Sequence, residues 1–195
     1  MKYIYYLLAY LVGSISFSYI LVKLFKGDDI RETGSKNAGG TNVTRNFGLV
    51  LGIITTLLDM LKGTLMVFLF RKYDLGSPVL ALFFTVLGHC FPIFFGFKGG
   101  KGIATTVGGV IYLFPRVFPL GFVVFFVLCY LTKYVSLGSI TMVSAVAVNL
   151  LFYEKLDLTD IIAIVLIWFM IFFRHKENIK RILTDTENKF KVGGK

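Results

Sequence analysis

Residues 47–70, FGLVLGIITTLLDMLKGTLMVFLF, form an apolar run long enough to cross a lipid bilayer as one helix. The run holds only two charged residues, Asp59 and Lys62. They are three positions apart and can pair on one helix face. Charged side chains inside a membrane span usually face other helices and are functional candidates. This stretch predicts an all-α integral membrane protein.

The whole composition has the same character. Of the 195 residues, 56% are hydrophobic and 16% are charged, and the mean hydropathy is +0.76. This is too apolar for a soluble domain. Cys90 and Cys129 lie within apolar runs without the spacing of metal ligands, so we interpret them as packing residues. We expect a single polytopic membrane domain over residues 1–195.

The apolar runs predict seven transmembrane helices. The long apolar stretch after residue 103 is interrupted by FPRVFP, residues 114–119. Two prolines and an arginine are unfavourable in a helix within lipid, so this segment separates two helices. The alternative is one kinked span and six helices. The seven predicted spans are residues 3–25, 47–70 and 79–97, a short one from 103, then 117–131, 136–152 and 159–173.

The distribution of Lys and Arg predicts the orientation. Seven spans place fifteen of the 21 basic residues on one side and five on the other, with Lys62 inside a span. The richer side of a membrane protein is cytoplasmic. We therefore expect a periplasmic N-terminus and a cytoplasmic C-terminus. The net charge of +10 is attributed to this bias and not to nucleic-acid binding.

The first of three polar segments on the predicted cytoplasmic face is GSKNAGGTNVTR, residues 34–45. Glycine-rich loops can turn several backbone N–H groups toward one anion, and a following helix N-terminus adds partial positive charge. Arg45 can hold a phosphate bidentately. The same composition is also typical of a flexible turn. The side chains that could add hydrogen bonds to an anion are Ser35, Asn37, Thr41 and Asn42.

The second segment is GFKGGKGIATT, residues 96–106. It is not a nucleotide-binding P-loop, because that motif needs glycine at the position of Lys101. Two lysines among four glycines beside a helix N-terminus still suit an anion. Lys101, between Gly100 and Gly102, is the expected ligand, and Lys98 is the expected membrane anchor.

The third segment is RHKENIKRILTDTE, residues 174–187, which is amphipathic enough to lie along a membrane surface. His175 and Asn178 are three apart and would share one helix face. By itself such a segment is typical of a surface anchor. His89, in the third span, has no second metal ligand at useful spacing and is interpreted as a packed, hydrogen-bonded histidine.

Together the three segments resemble the motifs of the bacterial membrane acyl-phosphate:glycerol-3-phosphate acyltransferases, the PlsY type. The resemblance covers nearly the whole chain through DIRETGSKNAGGTNVTR (29–45), GHCFPIFFGFKGGKGIATT (88–106) and HKENIKRILTDTE (175–187). The sequence departs from the family pattern at Lys36 and Asp185, where glycine is expected, and at Gly40, where alanine is usual.

The resemblance implies an enzyme that moves a fatty acyl group from acyl phosphate to the 1-hydroxyl of glycerol 3-phosphate. The products are lysophosphatidic acid and phosphate, in the first step of phospholipid biosynthesis. The implied partners are glycerol 3-phosphate, a long-chain acyl phosphate and the lipid bilayer. We expect a monomer with no cofactor, no metal and no nucleic-acid partner.

The resemblance also assigns roles to residues. The catalytic candidates are Ser35, Arg45, Lys101, His175 and Asn178. The candidates for binding substrate phosphate are Asn37, Gly39, Gly40, Thr41, Asn42, Gly99, Gly100 and Gly102. Structural support is expected from Glu187, which matches the third motif. It is also expected from Asp59 and Lys62, not through the resemblance but as a charge pair within a span.

Two other classes of protein share some of these features. A transporter of phosphate or an organic anion would also place cationic, glycine-rich breaks among its helices. The hydropathy shows no inverted repeat, however, and the polar segments collect at one predicted membrane face. An alcohol phosphotransferase would need a group of aspartates to hold metal, and the sequence has none.

Overall fold

The computed structural model describes residues 3–189, except for the side chain of Tyr153. All regular structure within the described residues is helical. The chain divides into two compact units, Met1–Leu113 and Phe114–Lys195. The first unit contains α1 (Tyr3–Gly13), α2 (Phe17–Lys26), α3 (Gly40–Phe47), α4 (Leu49–Lys72), α5 (Pro78–Cys90), a 3₁₀ turn (Ile93–Phe95) and α6 (Ile103–Leu113). The second contains α7 (Phe118–Thr132), α8 (Val135–Tyr153), α9 (Leu158–Arg174) and α10 (Lys176–Leu183).

The helices support the membrane prediction. Within residues 3–189, four stretches are long and apolar enough to span a bilayer, and α9 with α10 forms a fifth if their 53° bend is counted as one broken span. Helices α6 and α7 are apolar but shorter. The structure therefore supports an all-helical, multi-pass membrane protein. The four full-length stretches are Tyr3–Lys26, Leu49–Lys72, Pro78–Phe95 and Val135–Phe152.

Helix α4 shows how a span divides between lipid and protein. Ile53, Leu57 and Leu61 follow one another at four-residue spacing and are 47%, 57% and 58% exposed. Asp59 and Lys62, on another face of the helix, are buried. An exposed apolar stripe opposite buried charge is the pattern expected of a helix with a lipid-facing side.

Small residues bring the helices of the first unit into close contact. Gly63 of α4 lies against the backbone carbonyl of Thr105 in α6, and Gly108 of α6 lies against that of Met60 in α4. A Cβ at either glycine would overlap the facing carbonyl. Close backbone approach at small residues is the usual way in which membrane helices pack.

The first span is broken, although the sequence predicted one continuous helix over residues 3–25. Helix α1 ends at Gly13 and α2 begins at Phe17. The Nζ of Lys62 donates hydrogen bonds to the carbonyls of Gly13 at 3.0 Å and Ile15 at 2.9 Å. Carbonyls freed by a helix break cannot remain without donors in an apolar environment. The break therefore depends on a side chain from α4.

The segment before α4 also differs from the prediction of a loop over residues 34–45. Residues from Gly40 onward form the separate helix α3, which ends at Phe47 and is followed by Gly48 with a φ of 100°. Val43 of α3 is buried with Val22, Ile30 and Ala38. This apolar contact gives the short helix a buried face, which the glycine-rich composition had obscured.

Candidate active site

The first polar loop is organised around the side chain of Asn42, which is only 2% exposed. Its Oδ1 accepts hydrogen bonds from the backbone N–H of Ser35 at 3.0 Å and from Asn46 Nδ2 at 2.9 Å. Its Nδ2 donates to the carbonyls of Thr33 at 2.9 Å and Asn37 at 3.1 Å. The Asn42 amide is therefore engaged by the loop itself and shapes it.

The outer side of the same segment exposes Ser35, Thr41 and Arg45. Thr41 and Arg45 are four positions apart on α3 and share one face of that helix. Helix α3 begins at Gly40, where a Cβ would overlap Thr56 Oγ1. Hydroxyl groups and a guanidinium near a helix N-terminus are the groups that bind phosphate in proteins.

Lys36 and Asp185, which stand where the family pattern has glycine, both have a left-handed backbone conformation. Lys36 has φ 57° and Asp185 has φ 52°. Left-handed backbone is the conformation for which glycine is favoured, since other L-residues pay a steric cost there. Lysine and aspartate in place of glycine therefore keep the geometry of the two turns at a conformational cost. What changes is the side chain.

Arg31 joins the first loop to the segment that precedes the second. Its guanidinium makes a two-point contact with the Asp29 carboxylate, at 2.6 and 2.9 Å, and lies 4.5 Å from the centre of the Tyr19 ring. Its Nη1 also donates to the carbonyl of Phe95 at 3.0 Å. The hydrogen bonds from Arg31 hold the pKa of Asp29 below its ordinary value. Arg31 was not among the residues predicted from the sequence, although its spacing from Asp29 within the first motif was the available signal.

The second polar loop packs closely against the end of α5. The backbone N–H of Gly100 donates to the carbonyl of His89 at 3.1 Å. A Cβ on Gly100 would overlap the His89 imidazole and would lie 2.6 Å from the carbonyl of Ala38. A Cβ on Gly99 would overlap the His89 carbonyl. Only glycine fits at these two positions, and the second loop lies directly against the first at Ala38.

The second loop leads directly into α6. Gly102 has φ 87°, and its carbonyl accepts the N–H of Thr106 at 2.9 Å in the first turn of that helix. Lys101 is half-buried next to this turn, whereas Lys98 is exposed. A lysine at a glycine-rich entry to a helix has the chemistry of an anion-binding site.

Below the second loop, three ionisable side chains meet in the interior of the first unit. The Nζ of Lys62 lies 2.8 Å from Asp59 Oδ1, and its contact with His89 Nδ1 is 2.9 Å. His89 Nδ1 lies 3.4 Å from Asp59 Oδ1. Asp59 and Lys62 thus form the ion pair that their three-residue spacing predicted. The proximity of His89 was not anticipated, because it comes from a different helix.

In the second unit, His175 stands at the junction of α9 and α10 and is 2% exposed. Its Nδ1 lies 2.8 Å from the carbonyl of Ile171. A carbonyl can only accept a hydrogen bond, so Nδ1 carries a proton and the lone pair of the neutral ring is at Nε2. His175 is therefore held in a defined orientation and tautomer.

Asn178 and Glu187 belong to one buried hydrogen-bonded group in the second unit. Glu187 accepts hydrogen bonds from Asn178 Nδ2 at 2.7 Å, Arg181 Nε at 2.7 Å and Ser136 Oγ at 2.8 Å. Burial opposes ionisation of this carboxyl, but the three hydrogen bonds outweigh it and hold the pKa of Glu187 below its ordinary value. The carboxylate thus ties the C-terminal segment to α8 and α10.

The structure therefore groups the predicted residues in two sets. The first unit brings the loops around Ser35, Arg45 and Lys101 against each other, with Asp59 and Lys62 beneath the second loop. The second unit joins Asn178 to Glu187, with His175 at the start of the same helix, α10. Within the described residues, no three His, Cys, Asp or Glu side chains are grouped so as to hold a metal ion.

Comparison with known proteins assigns these motifs to a family. Residues 3–185 match the model of the family described as glycerol-3-phosphate acyltransferase. The chain belongs to this family. Relatives named glycerol-3-phosphate acyltransferase include one from Bacillus subtilis (strain 168), 44% identical with 95% of both chains covered. Another from Acholeplasma laidlawii is 41% identical, with 93% of this chain and 89% of that relative covered.

Solved structures agree with this family assignment. The chain is similar to a crystal structure of PlsY (YgiH), described as an integral membrane glycerol 3-phosphate acyltransferase, in its glycerol 3-phosphate form. The TM-score is 0.90 at 37% identity, with 97% of this chain and 96% of that chain covered. The lysophosphatidic acid form gives a TM-score of 0.87 at 35% identity, with 97% and 95% covered. The protein is thus an enzyme of an integral membrane acyltransferase family, as the sequence resemblance predicted.

Proposed function

We propose that this protein transfers a fatty acyl group from a long-chain acyl phosphate to the 1-hydroxyl of glycerol 3-phosphate. The products are lysophosphatidic acid and phosphate, and the step opens phospholipid synthesis. The observation that carries the proposal is the contact between the two glycine-rich loops, with an exposed Arg45 following the first and a half-buried Lys101 in the second. The relatives' names and the two ligand forms of the solved PlsY structures support it.

We assign the acyl-phosphate group to the first loop and glycerol 3-phosphate to the second. Arg45 and Ser35 would hold the acyl phosphate, with Asn37, Thr41 and the backbone at Gly39 and Gly40. Lys101 would hold the phosphate of glycerol 3-phosphate, with the backbone at Gly99, Gly100 and Gly102. Because the Asn42 amide is engaged within the loop, we infer that it shapes the phosphate site without touching the ligand.

The reaction needs no covalent enzyme intermediate, since an acyl phosphate is already activated. The 1-hydroxyl oxygen attacks the acyl carbonyl, the new ester C–O bond forms, and the bond from carbonyl carbon to phosphate oxygen breaks. Arg45 and Lys101 stabilise negative charge as it develops on the phosphates. By the resemblance of the third motif we also assign catalytic roles to His175 and Asn178. The hydroxyl proton passes to the departing phosphate, directly or through a water.

We further propose that the protein works as one monomeric membrane domain with seven spans in a bacterial inner membrane. The N-terminus would be periplasmic, and all three motifs would lie on the cytoplasmic side. Single cysteines in a cysteine-free background test this topology. Cysteines replacing Ser35, Lys98 and Lys180, all exposed, should react with an impermeant thiol reagent from the cytoplasmic side. Lys72→Cys should react only from outside, and mixed sidedness among the first three would refute a shared cytoplasmic site.

The acyl donor gives the decisive test of the activity. Purified protein given glycerol 3-phosphate and palmitoyl phosphate should form lysophosphatidic acid, with turnover persisting in EDTA. Palmitoyl-CoA at the same concentration should give little product. An acyl phosphate has a compact dianionic leaving group that two short cationic loops can bind and stabilise. His89 and His175 are followed five positions later by Phe94 and Lys180, so neither forms the His and Asp pair common in thioester-using acyltransferases.

The same preparation should show no exchange of labelled phosphate across vesicles. Robust turnover with palmitoyl-CoA, or activity lost in EDTA and restored by magnesium, would overturn the donor assignment. Phosphate counterflow without lysophosphatidic acid formation would instead favour a transporter.

A further inference from the structure

The buried group formed by Asp59, Lys62 and His89 reaches the second polar loop through a single side chain. His89 is in the last turn of α5 and is 7% exposed. One side of its ring meets Lys62, and the other side meets Gly100. It therefore connects charge in the interior of the first unit with the loop to which we assign glycerol 3-phosphate.

The partners of Lys62 fix the position of this group. Its Nζ is within hydrogen-bond distance of two backbone carbonyls, Gly13 and Ile15, and lies 2.8 Å from Asp59 Oδ1. These three acceptors match the three donors of a charged ammonium. His89 Nδ1 lies 2.9 Å from the same Nζ and 3.4 Å from Asp59 Oδ1. The Nδ1 edge of the ring is therefore held beside both members of the ion pair.

The Nε2 edge of His89 is the edge that meets the second loop. A Cβ on Gly100 would overlap this nitrogen, so the ring lies directly against the Gly100 backbone. The backbone carbonyl of His89 also accepts the Gly100 N–H at 3.1 Å. Two separate contacts from one residue therefore fix the position of Gly100, whose neighbour is Lys101.

We propose that His89, oriented by Lys62 and Asp59, is a positioning residue that sets the shape of the Gly99–Gly102 loop and thereby the affinity for glycerol 3-phosphate. This inference rests on the proposed function. Burying a lysine, a carboxylate and an imidazole among apolar helices is costly. Through the contacts of the His89 ring and backbone carbonyl with Gly100, this charged group also holds the second loop in place, in addition to packing between helices.

Two substitutions of His89 test its contact with Lys62 and its contact with Gly100 separately. His89→Asn keeps an amide near the position of Nδ1, beside Lys62 and Asp59, but removes the ring edge that meets Gly100. His89→Gln places its amide near the position of Nε2 but removes the ring nitrogen beside Lys62. The matched control is Thr85→Val, in the same helix, because Thr85 is fully buried and its hydroxyl bonds only within α5.

The measurement is initial-rate kinetics with each substrate varied, together with the thermal unfolding midpoint in detergent. His89→Asn should raise KM for glycerol 3-phosphate roughly tenfold to a hundredfold, as expected for misplacement of a binding group. It should leave KM for palmitoyl phosphate and the unfolding midpoint near wild type. His89→Gln should lower the midpoint and keep KM for glycerol 3-phosphate within about threefold of wild type. Thr85→Val should change only the midpoint.

Equal changes in both KM values, or a change in midpoint alone as in Thr85→Val, would overturn the positioning role. If His89→Asn is not recovered in folded form, His89→Leu replaces it, and a rise of KM for glycerol 3-phosphate without a matching rise for palmitoyl phosphate has the same meaning. The proposed function fails by a different result, namely wild-type protein that forms no lysophosphatidic acid from palmitoyl phosphate.

Discussion

Lys62→Met is expected to destabilise the protein by about 3–5 kcal/mol, because it leaves the Asp59 carboxylate buried without its partner. It also removes the donor for the carbonyls of Gly13 and Ile15 at the break in the first span. The loss should appear as a lower midpoint in chemical unfolding of the detergent-solubilised protein. Wild-type stability in this variant would show that the ion pair contributes little.

The double variant Asp59→Leu/Lys62→Met is the control for the charge. Replacing both members of a buried pair by apolar residues is often nearly neutral, whereas removing one is not. The double variant should therefore recover part of the loss but not all of it, since the two carbonyls still lack their donor. With Asp59→Leu as the second single variant, the double-mutant cycle measures the coupling between the charges.

Arg45→Ala and Lys101→Ala are each expected to cost about 2.7–4 kcal/mol of transition-state stabilisation, a loss of about a hundredfold to a thousandfold in rate. The physical reason is the loss of a positioned donor to charge that develops on phosphate. For Lys101→Ala the defect should be greatest when glycerol 3-phosphate is limiting. Lysophosphatidic acid formation at varied concentrations of each substrate gives these values.

The controls for this pair are lysines outside the proposed site. Lys98→Ala, Lys133→Ala and Lys189→Ala should retain activity within a few-fold of wild type, as is usual for surface substitutions. A uniform loss across all five variants would indicate a general effect of surface charge and would contradict specific roles for Arg45 and Lys101.

Much of the fold followed from local properties of the sequence. The apolar runs predicted the helices, because a span in lipid must be both long and apolar. The segment FPRVFP predicted the separation of α6 from α7, since proline cannot continue a helix within lipid. These features depend on composition and on near neighbours, which a single sequence displays directly.

The features that escaped prediction depend on partners far apart in the chain. The break before Phe17 is stabilised by Lys62, and Arg31 reaches the carbonyl of Phe95. The Asn42 side chain looked like a phosphate ligand until its hydrogen bonds to the Ser35 and Thr33 backbone were seen. Such pairings are set by tertiary packing and leave no periodic signal in the sequence.

The break between α1 and α2 has a consequence for the biogenesis of the protein. The N-terminal residues leave the ribosome well before Lys62, since synthesis proceeds from the N-terminus at about 5–20 residues per second. Until α4 enters the bilayer, the carbonyls of Gly13 and Ile15 have no ammonium to bond. An uninterrupted helix would satisfy its own backbone during that interval. The interrupted form of the first span therefore belongs to the assembled protein, and α4 supplies the group that stabilises it.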